Sequence, residues 1–590
     1  MKRWFFSALL LVAGAINLFA LDRNAFTITE YQLNAIIDRN THVMTVDGHL
    51  MLRNDSKQPQ KNVSLQVSSS LEWGMVYTHK QQLEYLAEKY TSDIDHTGSL
   101  SEAIVTLDAP VPPGGTVALD VQYGGVITAD ATRLTRMNVP RGTSLHSDWD
   151  QISEPFTAVR GLGHVVWYPV SIEAVSMSDG TAVSDAIAAW KDRHRNSIFE
   201  AKISVEVDPN SATKVVTNVG FEENAKETIT GAQGSETGTF VSTRMRLDGM
   251  GALTPAFAIG AFEKLERPNL EVLFFSEHAS IAKDYAVAAE ANQSLLNDWL
   301  PPASTQPLRI IELTDPDASP YQDGPTLFTP IRSSTQQNLQ LLLLPTQVAA
   351  RFLTPRAWMQ DGLGLFLQAT LIRDKSGRDA ALQFLDQYEA PLAKAEELAR
   401  APATSDPKLP PKSDSDNTLL NTSDELYLRV KSGFVFWMLH DMLGDTVLQH
   451  ALAAYRPEVD RTPTYFQKLL EAQTKRDLEW FFDDWVYRDR GLPDFRVATA
   501  YSRKLLGGSD NEYQVTATIE NLGAAGAEVP VLFQTAKGEK SVRVLVRAHD
   551  KGYARIELSE PPTRVVVNDG SVPESDTGNN VYQFESKAQP

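Results

Sequence analysis

Residues 341–368 read LLLLPTQVAARFLTPRAWMQDGLGLFLQ. In this stretch an apolar run, Leu341 to Leu344, meets Pro345. Proline suits the first turn of a helix, where its missing N–H would have no partner anyway, so a helix is expected to begin at Pro345. Thr346 and Ala350 then lie one turn apart on a shared face, with Gln347 beside them. Thr354 and Pro355 should end that helix, because a residue before proline avoids the helical region. A second helix is expected from Trp358 to about Gln368.

Two later segments belong with this pair. Arg429-Val-Lys431-Ser-Gly-Phe-Val-Phe-Trp-Met438-Leu439 runs into Leu443-Gly444-Asp445, and the stretch from Tyr465 to Tyr487 carries Asp477-Leu-Glu-Trp-Phe-Phe-Asp-Asp-Trp485. Together these segments resemble the zinc aminopeptidases of the gluzincin type, the membrane alanyl and puromycin-sensitive aminopeptidase family. That family has HELAHxW on one helix, WLNEGFAxYLE on the next, and later YxKGxxxLxML…LGD and RDLxWFFxxWLY.

The resemblance implies a fold and, position by position, a substituted site. The family's two zinc-binding histidines fall on Thr346 and Ala350, its general base on Gln347 and its third ligand on Asp361. Lys431 sets the register that puts Arg429 at the family's oxyanion-stabilising tyrosine. Alanine has no donor atom, threonine is a poor neutral zinc ligand, and an amide cannot act as a general base near neutral pH. Tyr427 sits two residues from Arg429, about 200° round a helix, and does not substitute for it. Near Gly324 to Pro330 the sequence is Gly-Pro-Thr-Leu-Phe-Thr-Pro, without the glutamate of the family's Gly-x-Met-Glu-Asn strand that holds a peptide's amino end.

The expectation is therefore a pseudopeptidase that acts by binding or scaffolding, with no catalytic residue and no cofactor. A peptide or protein in the former cleft is the expected ligand. The alternative is an active metallo-aminopeptidase, or another hydrolase with a rearranged site, in which zinc would return. The eleven histidines are scattered, and His42, His49, His440 and His450 read as packed or surface residues. No Gly-x-Ser-x-Gly elbow, phosphate loop or dinucleotide fingerprint occurs. Asp483 and Asp484 read as helix surface, and Trp480, Phe481, Phe482, Trp485 and Tyr487 as core.

The first twenty residues, with Lys2 and Arg3 ahead of a short apolar run and small residues at Ala15 and Ala20, read as a secretory signal, with an uncleaved anchor as the alternative. No later run is long enough for a membrane span. The expected location is the periplasm or the extracellular space. The absence of cysteine rules out disulfides, thiolate metal ligands and a catalytic thiol. A net charge of −20 argues against nucleic acid or an anionic membrane as the main partner.

The expected architecture is α+β and multidomain. Residues 21–262 alternate apolar and polar, as in Met44 to Arg53, and form an N-terminal β domain. Residues 263–490 form a thermolysin-like, mainly helical middle domain, with a helix from about Ser280 to Leu300 and a Pro/Ser/Asp-rich flexible insert at 395–425. Residues 491–575 form a C-terminal β-sandwich, and 576–590 a polar tail.

Overall fold

The computed structural model describes residues 21–219, 225–230, 237–302, 307–400, 418–505 and 512–584. The expected signal segment lies outside them, as does most of the 395–425 insert. The architecture is mixed α and β in the expected order: a β-rich N-terminal region, a helical middle with its own sheet, and two C-terminal sheets. No described helix is long and apolar enough to cross a membrane.

The N-terminal region is built on an eight-stranded sheet, in which Phe26–Asp38 pairs antiparallel with Val43–Asn54 and parallel with Ile198–Val207. Alternating burial along Phe26–Asp38 shows why: Tyr31, Leu33, Ala35 and Ile37 face the core and the residues between them face out. Trp167 and Tyr168, with Tyr31, Phe199 and Phe257, form an edge-to-face aromatic centre beneath this sheet. The region is not wholly β, because Ala182–Arg193 is a helix whose Trp190 packs into the same core.

The middle region opens with a five-stranded sheet, where Leu270–Phe274, Leu308–Glu312 and Thr326–Thr329 run parallel. The single helix expected from Ser280 to Leu300 is two, Ala279–Ala291 and Gln293–Trp299, meeting at Asn292. Three longer helices follow: Gln336–Arg351, Ala357–Ser376 and Glu425–Leu443.

The first of these corrects the reading of Pro345, which lies inside the helix, nine residues after its start at Gln336. An interior proline frees the carbonyl four residues earlier, here Leu341, and the Gln368 side chain takes it up with a 2.6 Å hydrogen bond. Thr335 supplies the true N-cap by accepting from the Asn338 N–H. The second helix starts as expected but continues to Ser376.

The Glu389–Arg400 helix runs into the stretch read as an insert. At the C-terminus a three-stranded sheet, Phe495–Lys504, Tyr513–Asn521 and Lys551–Leu558, faces a four-stranded one of Glu539–Val546, Ala527–Gln534, Arg564–Val567 and Val581–Gln583. The last strand lies within the stretch read as a polar tail, and its pairing with Arg564–Val567 explains why it is ordered. The sandwich shares one apolar core with the helices: Trp485 donates from Nε1 to the Gly526 carbonyl, and Phe481, Phe482 and Trp485 are fully buried.

Candidate functional site

Thr346, Gln347 and Ala350 lie on the Gln336–Arg351 helix and Asp361 on the next, and the two helices pack directly. Gly364 sets part of that approach, since a Cβ there would sit 3.3 Å from Pro345. Glycines also set the contact with the Glu425–Leu443 helix. A Cβ on Gly362 would lie 2.4 Å from Ser432 Cβ, and one on Gly433 would lie 2.5 Å from Leu365 Cδ2.

The four positions on the first two helices have different surroundings. Gln347 turns toward the break at Asn292: its Oε1 accepts from Asn292 Nδ2 at 2.7 Å and its Nε2 donates to the Ala289 carbonyl at 2.9 Å. Asn292 Nδ2 also donates to the Gln340 carbonyl at 3.0 Å. The amide is thus a buried brace between helices. Thr346 is fully buried, and its hydroxyl has no hydrogen-bond partner among the described residues. Ala350 is buried as well.

Asp361 is half-buried and faces the third helix. Burial, and then repulsion from Glu425, push its carboxyl up to about 6, while Arg429 pulls the other way. Asp361 and Arg429 are thus brought into electrostatic contact by the fold. The Arg429 guanidinium lies 5.9 Å from the centre of the Tyr388 ring and is otherwise exposed. Tyr427 points away into the core, with its hydroxyl 2.8 Å from Asp489 and 2.9 Å from Lys431 Nζ. Lys431, fully buried, is bound by Glu396 and Asp489.

Thr346, Gln347 and Ala350 do not make a zinc donor set. One has no donor atom, one offers a neutral hydroxyl enclosed in the core, and the neighbouring amide is committed at both ends.

A different group of ligand-type side chains is assembled elsewhere. His146, Asp315 and Asp317 each offer an atom within 4.8 Å of the others. His146 Nδ1 lies 2.6 Å from Asp315 Oδ2, and this contact raises the pKa of the imidazole, helped by the charge of Asp317. His146 comes from the short Arg141–Ser147 helix of the N-terminal region and the aspartates from the loop after Leu308–Glu312. A cavity of about 160 Å³ lined by Trp149, Phe156, Leu313 and Asp315 lies beside it. Nothing in the sequence signals this group, because 169 residues separate His146 from Asp315.

No family model matches the chain, and no curated protein matches it. Among solved structures, the M1 zinc metallopeptidase of Deinococcus radiodurans is similar in a point-mutant form bound to a Tyr-Ser-Ala substrate. The identity is 13% and the TM-score 0.44, over 79% of this chain and 95% of that one. A second structure of the same enzyme gives 12% and 0.44 over 79% and 95%, and the mutant described without substrate gives 13% and 0.43 over 78% and 94%.

Proposed function

We propose that this chain is an exported, non-catalytic relative of the zinc aminopeptidases that works by binding or scaffolding, with a peptide or protein segment as its ligand in the former cleft. The observation that carries the reading is Gln347: both ends of its amide are spent on Asn292 and Ala289, so the base position serves as a helix brace. Thr346 and Ala350, enclosed in the core, support it further. The basic-then-apolar start of the sequence supports export.

The test is zinc content of the purified chain by elemental mass spectrometry after equilibration with excess metal, with hydrolysis of aminoacyl anilides measured in parallel. The expected result is no hydrolysis, and no zinc that depends on Asp361. Zinc lost on Asp361→Asn, together with hydrolysis, would overturn the proposal.

A second reading has its own observation, the His146–Asp315–Asp317 group. One imidazole and two carboxylates are a donor set that suits zinc or manganese. Under this reading the chain is a metal-dependent hydrolase with a site at the junction of the N-terminal and middle regions. Metal retention abolished by Asp315→Asn/Asp317→Asn and unaffected by Asp361→Asn would favour it.

A further inference from the structure

The outer face of the three-stranded C-terminal sheet carries an unusual pair of exposed rings. Tyr501 is 67% exposed and Tyr553 69%. The register places them on one face: Tyr501 opposes Thr516, Thr516 opposes Arg555, and Thr518 opposes Tyr553. The next row is Arg503, Gln514 and Glu557. All these side chains alternate with Val515, Ala517 and Ala554, which fill the sandwich core, so their outward direction is set by the strand period.

The two rings stand two strands and one two-residue step apart, about 12 Å along a diagonal. Between them the floor is low, formed by the partly exposed Thr516 and Thr518. The face also carries more cations than carboxylates. At one end Glu520 is shared by Arg496 and Lys551, two cations to one carboxylate. At the other end Arg503 and Arg555 are exposed, two cations to the one exposed carboxylate of Glu557, and neither forms a salt bridge among the described residues. Cationic groups left open beside bare tyrosines stand out on a chain of net charge −20.

We infer that this face binds an acidic polysaccharide, a glycan chain bearing carboxylates. Flat apolar sugar faces suit exposed phenol rings on a rigid sheet, hydroxyls suit the threonine and glutamine side chains, and carboxylates suit open guanidinium forks. Charge complementarity selects an acidic glycan over a neutral one. Duplex nucleic acid, with a phosphate charge about every 1.7 Å, would be repelled by a chain of net charge −20 more strongly than a glycan bearing at most one carboxylate per sugar.

The test is native affinity electrophoresis of the full chain in gels containing polygalacturonate, with dextran and single-stranded DNA as comparisons. Retardation is expected with polygalacturonate alone. Tyr501→Ala and Tyr553→Ala should each weaken it about tenfold, while the thermal midpoint stays unchanged because both rings are exposed. Arg503→Gln/Arg555→Gln should weaken it and remove most of its salt dependence. Equal retardation by dextran would overturn the acidic requirement, and equal retardation by DNA would reassign the face to nucleic acid. Retardation unaffected by the tyrosine substitutions, or none at all, would overturn the inference.

Discussion

Gln368 Nε2 donates to the carbonyl of Leu341, 27 residues earlier, and that carbonyl is the one Pro345 leaves without a helical partner. The contact joins the Gln336–Arg351 and Ala357–Ser376 helices at the point where the first would otherwise be weakest. Gly364 lets the proline approach the second helix closely.

If Gln368 repairs the proline, then Gln368→Ala should cost about 1 kcal/mol, the low end of the cost of leaving a carbonyl unsatisfied, because this one is only partly buried. Pro345→Ala restores the N–H that carbonyl lacks, so in the Gln368→Ala background it should recover most of the loss. A double-mutant cycle on urea midpoints measures the coupling, and additive effects would contradict it.

Under the proposed function, Gln347→Glu puts a general-base residue type at the position proposed to have lost one. It also removes the Nε2 donor to Ala289 and introduces a charge in a buried brace. We expect destabilisation of about 2–4 kcal/mol at neutral pH and no gain in peptide hydrolysis. Because the folded chain would favour the protonated acid, the loss should shrink as pH falls toward 4; urea unfolding at pH 4.5 and pH 7.5 tests it.

Asp361 titrates at about 6 in the folded chain and near 4 when unfolded. Below about pH 4 the carboxyl is protonated in both states and carries no penalty. As pH rises toward 6 the unfolded chain ionises first, and stability from this group is lost; above 6 the loss is complete. Asp361→Asn should therefore be neutral at pH 4 and stabilising by roughly 2 kcal/mol at pH 7.5. Arg429→Ala should raise the Asp361 pKa further, read by NMR titration.

Lys431 pairs with both Glu396 and Asp489 at the centre of the helical core. Lys431→Met would remove the ammonium that pairs with both buried carboxylates, at a cost of about 3–5 kcal/mol. Adding Glu396→Gln and Asp489→Asn should return much of it. Thermal unfolding of the single and triple variants at pH 7 separates charge imbalance from lost packing.

The strand and helix content of the three regions was legible in the residues, because burial follows period: Tyr31, Leu33, Ala35 and Ile37 alternate inward along a strand, and Lys431, Phe434, Val435 and Met438 recur at helical spacing. The chemical identity of Thr346, Gln347, Ala350 and Asp361 was legible too. Local rules misplaced the helix start at Pro345, because an interior proline is tolerated only when a distant side chain takes the carbonyl it frees, and Gln368 becomes a neighbour only once the helices pack. The same holds for Gln347, whose role as a brace depends on Asn292, and for His146 with Asp315 and Asp317, which tertiary contacts alone bring together. Periodicity and residue chemistry are properties of neighbours in the chain and can be read from it. Hydrogen bonds and charge contacts between segments far apart in the chain depend on relative placement, which only the packed structure decides.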